Sequence, residues 1–223
     1  KIGSSIIRIK QKSKVIISQL EKLNDEESTE VGLSVGKMLC KPKKLLKSEK
    51  FLVKTPTAVA GVRGTNFSVE VDRKQTTRIK VYNGKVKVAK RIEQLDNNSD
   101  MLLNASNSLS QNEKVVITKK EADNAGRNFA KLYKRNSGKY DDKDELIAYI
   151  IKKSKSEITI SKNNIQKFTA SDLMKDKKEM IGIKVPSSDV VKKLSDFIRK
   201  EKNAPRPEGR LLVTRYDVYF IKK

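Results

Sequence analysis

The chain has 223 residues, 50 Lys plus Arg against 27 Asp plus Glu, a formal charge of +23, no His, no Trp and one Cys. Without imidazole there is no Ser-His-Asp triad, no Cys-His pair and no His general base, and the thiol and imidazole ligands of a structural zinc site are missing. Apolar residues make up 36% and charged residues 35%, which describes a folded protein with a heavily solvated surface rather than a disordered one. No run approaches the roughly 18 apolar residues of a membrane span, so no transmembrane segment is expected. The first residue is Lys1 and no signal-like apolar region follows it, so the chain reads as a processed or trimmed form whose targeting is not legible at this end.

Residues up to 118 carry 23 basic and 12 acidic side chains and those beyond it 27 and 15, so the halves are +11 and +12. The basic residues comprise 39 Lys and 11 Arg; sequence readers and bidentate phosphate clamps favour Arg, and with 12 aromatic residues in all no basic-aromatic module stands out. Nucleic acid is therefore an unfavoured partner. The dispersed Lys reads first as solvated surface and second as an anion-binding surface for acidic lipid, glycan or nucleic acid.

In chain order, Ile6, Ile7 and Ile9, then Val15, Ile16 and Ile17, supply two β-branched runs. Val31, Leu33 and Val35 alternate with small residues, as Phe67, Val69 and Val71 do with polar ones; each pattern predicts a strand. Asn83-Gly84 suits a type I′ turn and predicts a hairpin pairing Val81 with Val86 and Ile79 with Val88. That register sets Lys80 opposite Lys87, where water or an anion must relieve like-charge repulsion. Lys80, Lys85 and Lys87 are the candidate anion contacts, with water the preferred neighbour.

Residues 97 to 112 read as a loop around one short strand containing Met101, Leu102 and Leu103. Glu113 to Thr118 reads as a last strand, after which the period changes. Ala125, Phe129, Leu132 and Tyr133 fall at helical spacing, and Asp142 with Glu145 resembles a capping box before Leu146, Ile147, Ile150 and Ile151. Ile158 and Ile160 suggest a strand. A short helix over 171 to 180, a strand through Ile181, Ile183 and Val185, and an amphipathic helix from Ser187 or Ser188 through Ile198 follow, and 211 to 221 reads as extended. The expected division is a β-rich domain over 1–118 and an α+β domain over 119–223.

Phe51 to Val71 reads FLVKTPTAVAGVRGTNFSVEV. Pro56 sets an extended approach, Thr57 to Ala60 are small, and Gly61 and Gly64 bracket Val62 and Arg63, which points to positive φ or close backbone approach. Arg63 can reach inward as a five-donor fork; a phosphate site lacks its GxxxxGK and its following helix, so the structural role is preferred.

The run TPTAVAGVRGTNFSVEV, followed by RIKVYNGKVKV, closely resembles the central signature of FecR-type domains, and GLSVGKML and LSQNEKVVI resemble its flanking strands. Thr55, Pro56, Val62, Arg63, Gly64, Thr65, Phe67 and Gly84 match the pattern. The resemblance implies an all-β, extracytoplasmic domain, here lacking its first strands. The sigma-factor-binding region and membrane helix of the family's regulators are not recognisable in this chain. Its Lys-rich composition and helical second half look more like the FecR-domain envelope lipoproteins of spirochaetes. The implied function is a non-enzymatic cell-envelope protein, peripherally associated with a membrane or wall, with a scaffold or sensing domain. Its implied partners are an anionic membrane surface or other envelope proteins, and no cofactor is implied. As enzyme candidates, Asp141 and Asp142 at a helix start read as capping groups, and Cys40 reads as a buried strand residue with no partner for catalysis.

Overall fold

The computed structural model describes residues 5–23, 26–42, 45–46, 49–62, 64–169, 176 and 216–218, without the side chains of 20–26 and 216–218. Lys1–Phe168 with Thr214–Lys223 form one compact unit and Thr169–Val213 another. The change of period at residue 118 falls inside the first unit. The expected elements over 171–185 and 187–198 lie outside the described residues, apart from Asp176, which is helical.

The first unit is β-rich and then helical. Its strands are β1 (Ile6–Ile9), β2 (Lys14–Leu23), β3 (Glu26–Lys41), β4 (Lys50–Lys54), β5 (Ala58–Val62), β6 (Asn66–Val71), β7 (Thr77–Asn83), β8 (Val86–Lys90), β9 (Asn107–Leu109), β10 (Glu113–Ile117), β11 (Ile165–Lys167) and β12 (Tyr216–Val218). The helices are α1 (Ser99–Ala105), α2 (Lys119–Asn136), α3 (Lys143–Lys153) and α4 (Lys155–Ile158). One sheet runs β12-β2-β3-β4-β5-β8-β9 and the other β1-β3-β6-β7-β10-β11.

The two sheets share β3. Its first half pairs β2 and, in parallel, β4; its second half pairs β6 and β1. The inward positions change phase along it, from Val31 and Leu33 to Met38 and Cys40. A pleated strand cannot change phase without an irregularity, and Gly36 at φ +104° supplies it.

Between the sheets lies a core of alternating residues that includes Phe67, Val69, Ile79, Val81, Val86 and Val88. Helices α1 to α4 cover the outer face of β5 and β8 with a second core of Leu102, Leu103, Phe129, Ile147 and Ile150 against Val59 and Ala89. With core on both faces, β5 is a near-continuous small apolar run. At Gly61 a Cβ would come within 2.7 Å of Leu103 Cδ1, so the missing side chain lets α1 seat on the sheet. Cys40 is buried in the inter-sheet core, and burial pushes its thiol up to about 12.

Three sequence expectations are corrected. Asn83-Gly84 does not join paired strands: β7 pairs β6 and β10, whereas β8 pairs β5 and β9. Val81 and Val86 share a core because they face each other across the sandwich, which produces the same burial pattern as one hairpin face. Met101 to Leu103 belong to α1, not a strand; three consecutive apolar residues carry no period, and docking on β5 decides their state. Ile158 ends α4, and only Thr159 makes a strand-like bridge, to Ala89. Ile158 and Ile160 enter different cores, so their spacing is not a strand period.

Thr118 caps α2 in a full capping box with Glu121, which the sequence reading missed. Burial pushes the Glu121 carboxyl up, but the Thr118 N–H and hydroxyl, the Lys90 charge and the Asn164 amide outweigh it and hold the carboxyl below 4.5. A carboxylate depressed in the folded state contributes stability above its unfolded pKa and loses it as pH falls through the folded value. Glu121→Gln is therefore expected to cost about 1 kcal/mol or less at neutral pH and nothing once acid has protonated the native carboxyl. Thermal melts of both proteins followed from pH 7 into acid should converge as pH falls; a gap unchanged with pH would show that the charge is not involved.

Candidate functional site

The signature residues sit at the two ends of β5. At its start, Thr55, Pro56 and Thr57 form the turn from β4. Thr55 N–H donates to Ala58 O at 2.8 Å, and Ala58 N–H returns to Thr55 Oγ1 at 2.8 Å. The buried Thr77 hydroxyl at the start of β7 meets Thr55 Oγ1 at 2.8 Å and Thr57 Oγ1 at 2.6 Å. Thr57 Oγ1 also reaches Ile117 O at 3.4 Å, at the end of β10. A chain of three hydroxyls thereby ties the β4–β5 turn to the opposing sheet, satisfying polar groups that would otherwise be buried without partners.

An ionic cluster flanks this turn. Arg91 Nε and Nη2 donate to the two carboxylate oxygens of Asp96 at 2.9 and 2.5 Å, and Nη1 donates to Thr55 O at 3.1 Å. The Asp96 hydrogen bond leads the causes that raise the Arg91 pKa, against burial. Lys54 Nζ pairs with Glu30 at 2.8 Å and donates to Asp96 O at 2.9 Å, both side chains of the pair being less than one-fifth exposed. The fork of Arg91 matches the carboxylate geometry bidentately and clamps the 3-10 turn Glu93–Asn98 onto the Thr-Pro turn. The acids and bases of the cluster pair with one another.

At the other end of β5, the chain crosses to β6 through Gly64, at φ +73°, and Thr65. Beside it runs the second crossing, Asn83-Gly84-Lys85, with Val62 paired to Val86 and Asn66 to Asn83. The buried Thr65 hydroxyl donates to Lys85 O at 2.7 Å. Gly84 has φ +89°, and a Cβ there would stand 2.9 Å from Thr65 Oγ1. Thr65 and Gly84 are thus one unit, a hydroxyl under a glycine holding two crossings together. Phe67 seals the core behind them. Arg63 lies outside the described residues.

The candidate anion contacts do not converge. Lys80 stands opposite Ser68 and Lys114, pointing away from the core. Lys87 stands opposite Gly61 and Ser108 in the other sheet, where its Nζ donates to Asn104 Oδ1 at 3.1 Å, and Lys85 is exposed in the crossing. The repulsive Lys80/Lys87 pair expected from a hairpin does not exist. Asp142 caps α3, accepting from Asp144 N at 2.6 Å and Glu145 N at 3.4 Å. Among the described residues no three His, Cys, Asp or Glu side chains gather as a metal site, and no described helix is long and apolar enough to cross a membrane.

Thr77, Arg91, Lys54 and Asp96 escape sequence reasoning because each is recruited from a distant element. Thr77→Val is expected to cost about 1–2 kcal/mol in urea denaturation, since it deprives two buried hydroxyls of a partner. A Thr57→Val/Thr77→Val double variant should lose less than the two single losses summed; strict additivity would show that the hydroxyls are not coupled.

No curated protein matches the chain. Two crystal structures of proteins provisionally assigned as anti-sigma factors, both from Parabacteroides distasonis, are similar at 20% and 16% identity, with TM-scores of 0.38 and 0.34. Each similarity covers 52% of this chain, and 47% and 55% of the other, so the chain spans about half the length of those it matches. Residues 3–87, from β1 to the start of β8 and including all the signature positions, match the FecR protein family.

Proposed function

We propose that this chain is a non-enzymatic protein of the cell envelope, peripherally attached, in which the FecR-like sandwich is a rigid scaffold or sensing module. The observation that carries the reading is the FecR match over residues 3–87, whose signature residues act here as structural closures at the two ends of one strand. A module closed by hydroxyl and glycine contacts at both ends presents its surface, rather than a cleft, to a partner. The +23 charge supports an anionic surface or an acidic envelope protein as neighbour.

Mass spectrometry of the native protein from washed membrane and soluble fractions tests this. The expected result is recovery with the envelope, partly released by high salt because dispersed Lys contacts are screened, together with the mature N-terminus and any lipid on it. Recovery wholly in the cytosol would overturn the location.

A further inference from the structure

A shallow groove of about 350 Å³ runs between α1 and the end of α3, lined by Met101, Asn104, Ala105, Ala148, Ile151 and Lys152, with Lys155 at its rim. Its floor is apolar and recessed: Ile151 is buried, and Met101 and Ala105 are half-buried. Asn104, Ala148, Lys152 and Lys155, which line it, are exposed. Among the described residues no carboxylate lines it. The neighbouring acid on α1, Asp100, is paired with Lys50, while Asn104 holds the Lys87 ammonium beside the groove. An apolar floor bordered by Lys152 and Lys155, with the Lys87 ammonium held on Asn104, is complementary to an occupant that is apolar at its centre and anionic around it.

We propose that this groove docks an acidic segment of a partner protein, which inserts one large apolar side chain over Met101, Ala105, Ala148 and Ile151 and sets flanking carboxylates on Lys152, Lys155 and Lys87. A protein segment fits better than a bilayer. The exposed large apolar residues among those described are Ile6, Leu46 and Val116, none of which lines the groove. A membrane surface has nothing protruding there to enter, whereas a side chain reaches a recessed floor. The proposal rests on the scaffold reading only in taking a protein as occupant.

The test uses fluorescence anisotropy with the full chain and a labelled peptide carrying one central phenylalanine flanked on both sides by aspartate and glutamate. Binding is expected to fall about tenfold or more in Ala148→Gln, which fills the apolar floor with a neutral polar side chain at an exposed helix position, and in Lys152→Glu/Lys155→Glu. Lys131→Glu/Lys134→Glu, on α2 away from the groove, removes the same charge elsewhere and should change binding by no more than about twofold. Circular dichroism melts matching the unsubstituted protein confirm that each variant is folded. The proposal fails if the peptide does not bind, if its glycine-centred counterpart binds equally, or if the groove variants bind like the parent. It also fails if vesicles of anionic phospholipid bind with the same variant dependence, which would make the groove a membrane contact. Fractionation of the groove variants with the envelope, unchanged, separates loss of this site from loss of the scaffold reading.

Discussion

Gly36→Ala is expected to destabilise the protein by about 2–5 kcal/mol, combining an L-residue in left-handed backbone with overpacking against a fixed neighbour. At φ +104° a Cβ would overlap both the Oγ and the α-carbon of Ser13 and stand 2.5 Å from its Cβ. The obstruction is therefore backbone as well as side chain. Ser13 is also bound in place: its Oγ accepts from Lys37 N–H at 3.0 Å, and Lys10 N–H donates to Lys37 O at 2.9 Å. The β1–β2 connection is folded onto the point at which β3 leaves one sheet for the other, and neither can retreat without opening the strand shared by both. Urea denaturation should show a lowered midpoint, and Ser13→Gly in the same chain should restore only a minor part, since the clash with the residue 13 backbone remains. Gly84→Ala, with φ +89° but only the Thr65 side chain at 2.9 Å and Thr65 backbone at 3.3 Å, should cost less, about 1–2 kcal/mol. Equal losses at the two glycines would remove the special role given to the β3 corner.

That corner also marks where reading the sequence stops. Val31, Leu33 and Val35 announce a strand, and so do Phe67, Val69 and Val71, because two-residue alternation survives wherever one face is core. Helices α2 and α3 are equally legible from Phe129, Leu146 and Ile150. The pairing of strands is less so. A residue buried between two sheets has the same pattern whether its neighbour in sequence returns beside it or crosses to face it, and the Asn83-Gly84 turn serves either path. The change of phase at Gly36 is visible only once Met38 and Cys40 are seen to face inward. For the candidate site the division is similar. Thr55, Val62, Gly64, Thr65, Phe67 and Gly84 can be picked out as a recurrent pattern, and local spacing gives the positive φ at Gly64. Their work depends on Thr77, Arg91, Asp96 and Lys85, which arrive through tertiary pairing and carry no mark of it in their own segments.

The second large effect expected is at Phe67, where Phe67→Ala should cost about 3–5 kcal/mol, a large share of the roughly 5–15 kcal/mol typical of a domain. The ring is fully buried in β6, with Cys40 of β3 and Val81 of β7 as its cross-strand neighbours. Truncation leaves a cavity between the sheets, directly behind the crossing that Thr65 and Gly84 hold together. Phe67→Leu, which keeps most of the volume, should cost less. The neighbouring thiol supplies a local readout. Burial pushes the Cys40 pKa up to about 12, so the native thiol is neutral and inaccessible, and alkylation at about pH 8 should follow opening rather than surface reaction. Phe67→Ala should accelerate Cys40 alkylation in step with its loss of stability, whereas Thr77→Val, at the opposite end of β5, should accelerate it only as far as its smaller global loss requires. Unchanged stability and alkylation in Phe67→Ala would mean that the aromatic position of the signature serves a surface role instead of closing the core.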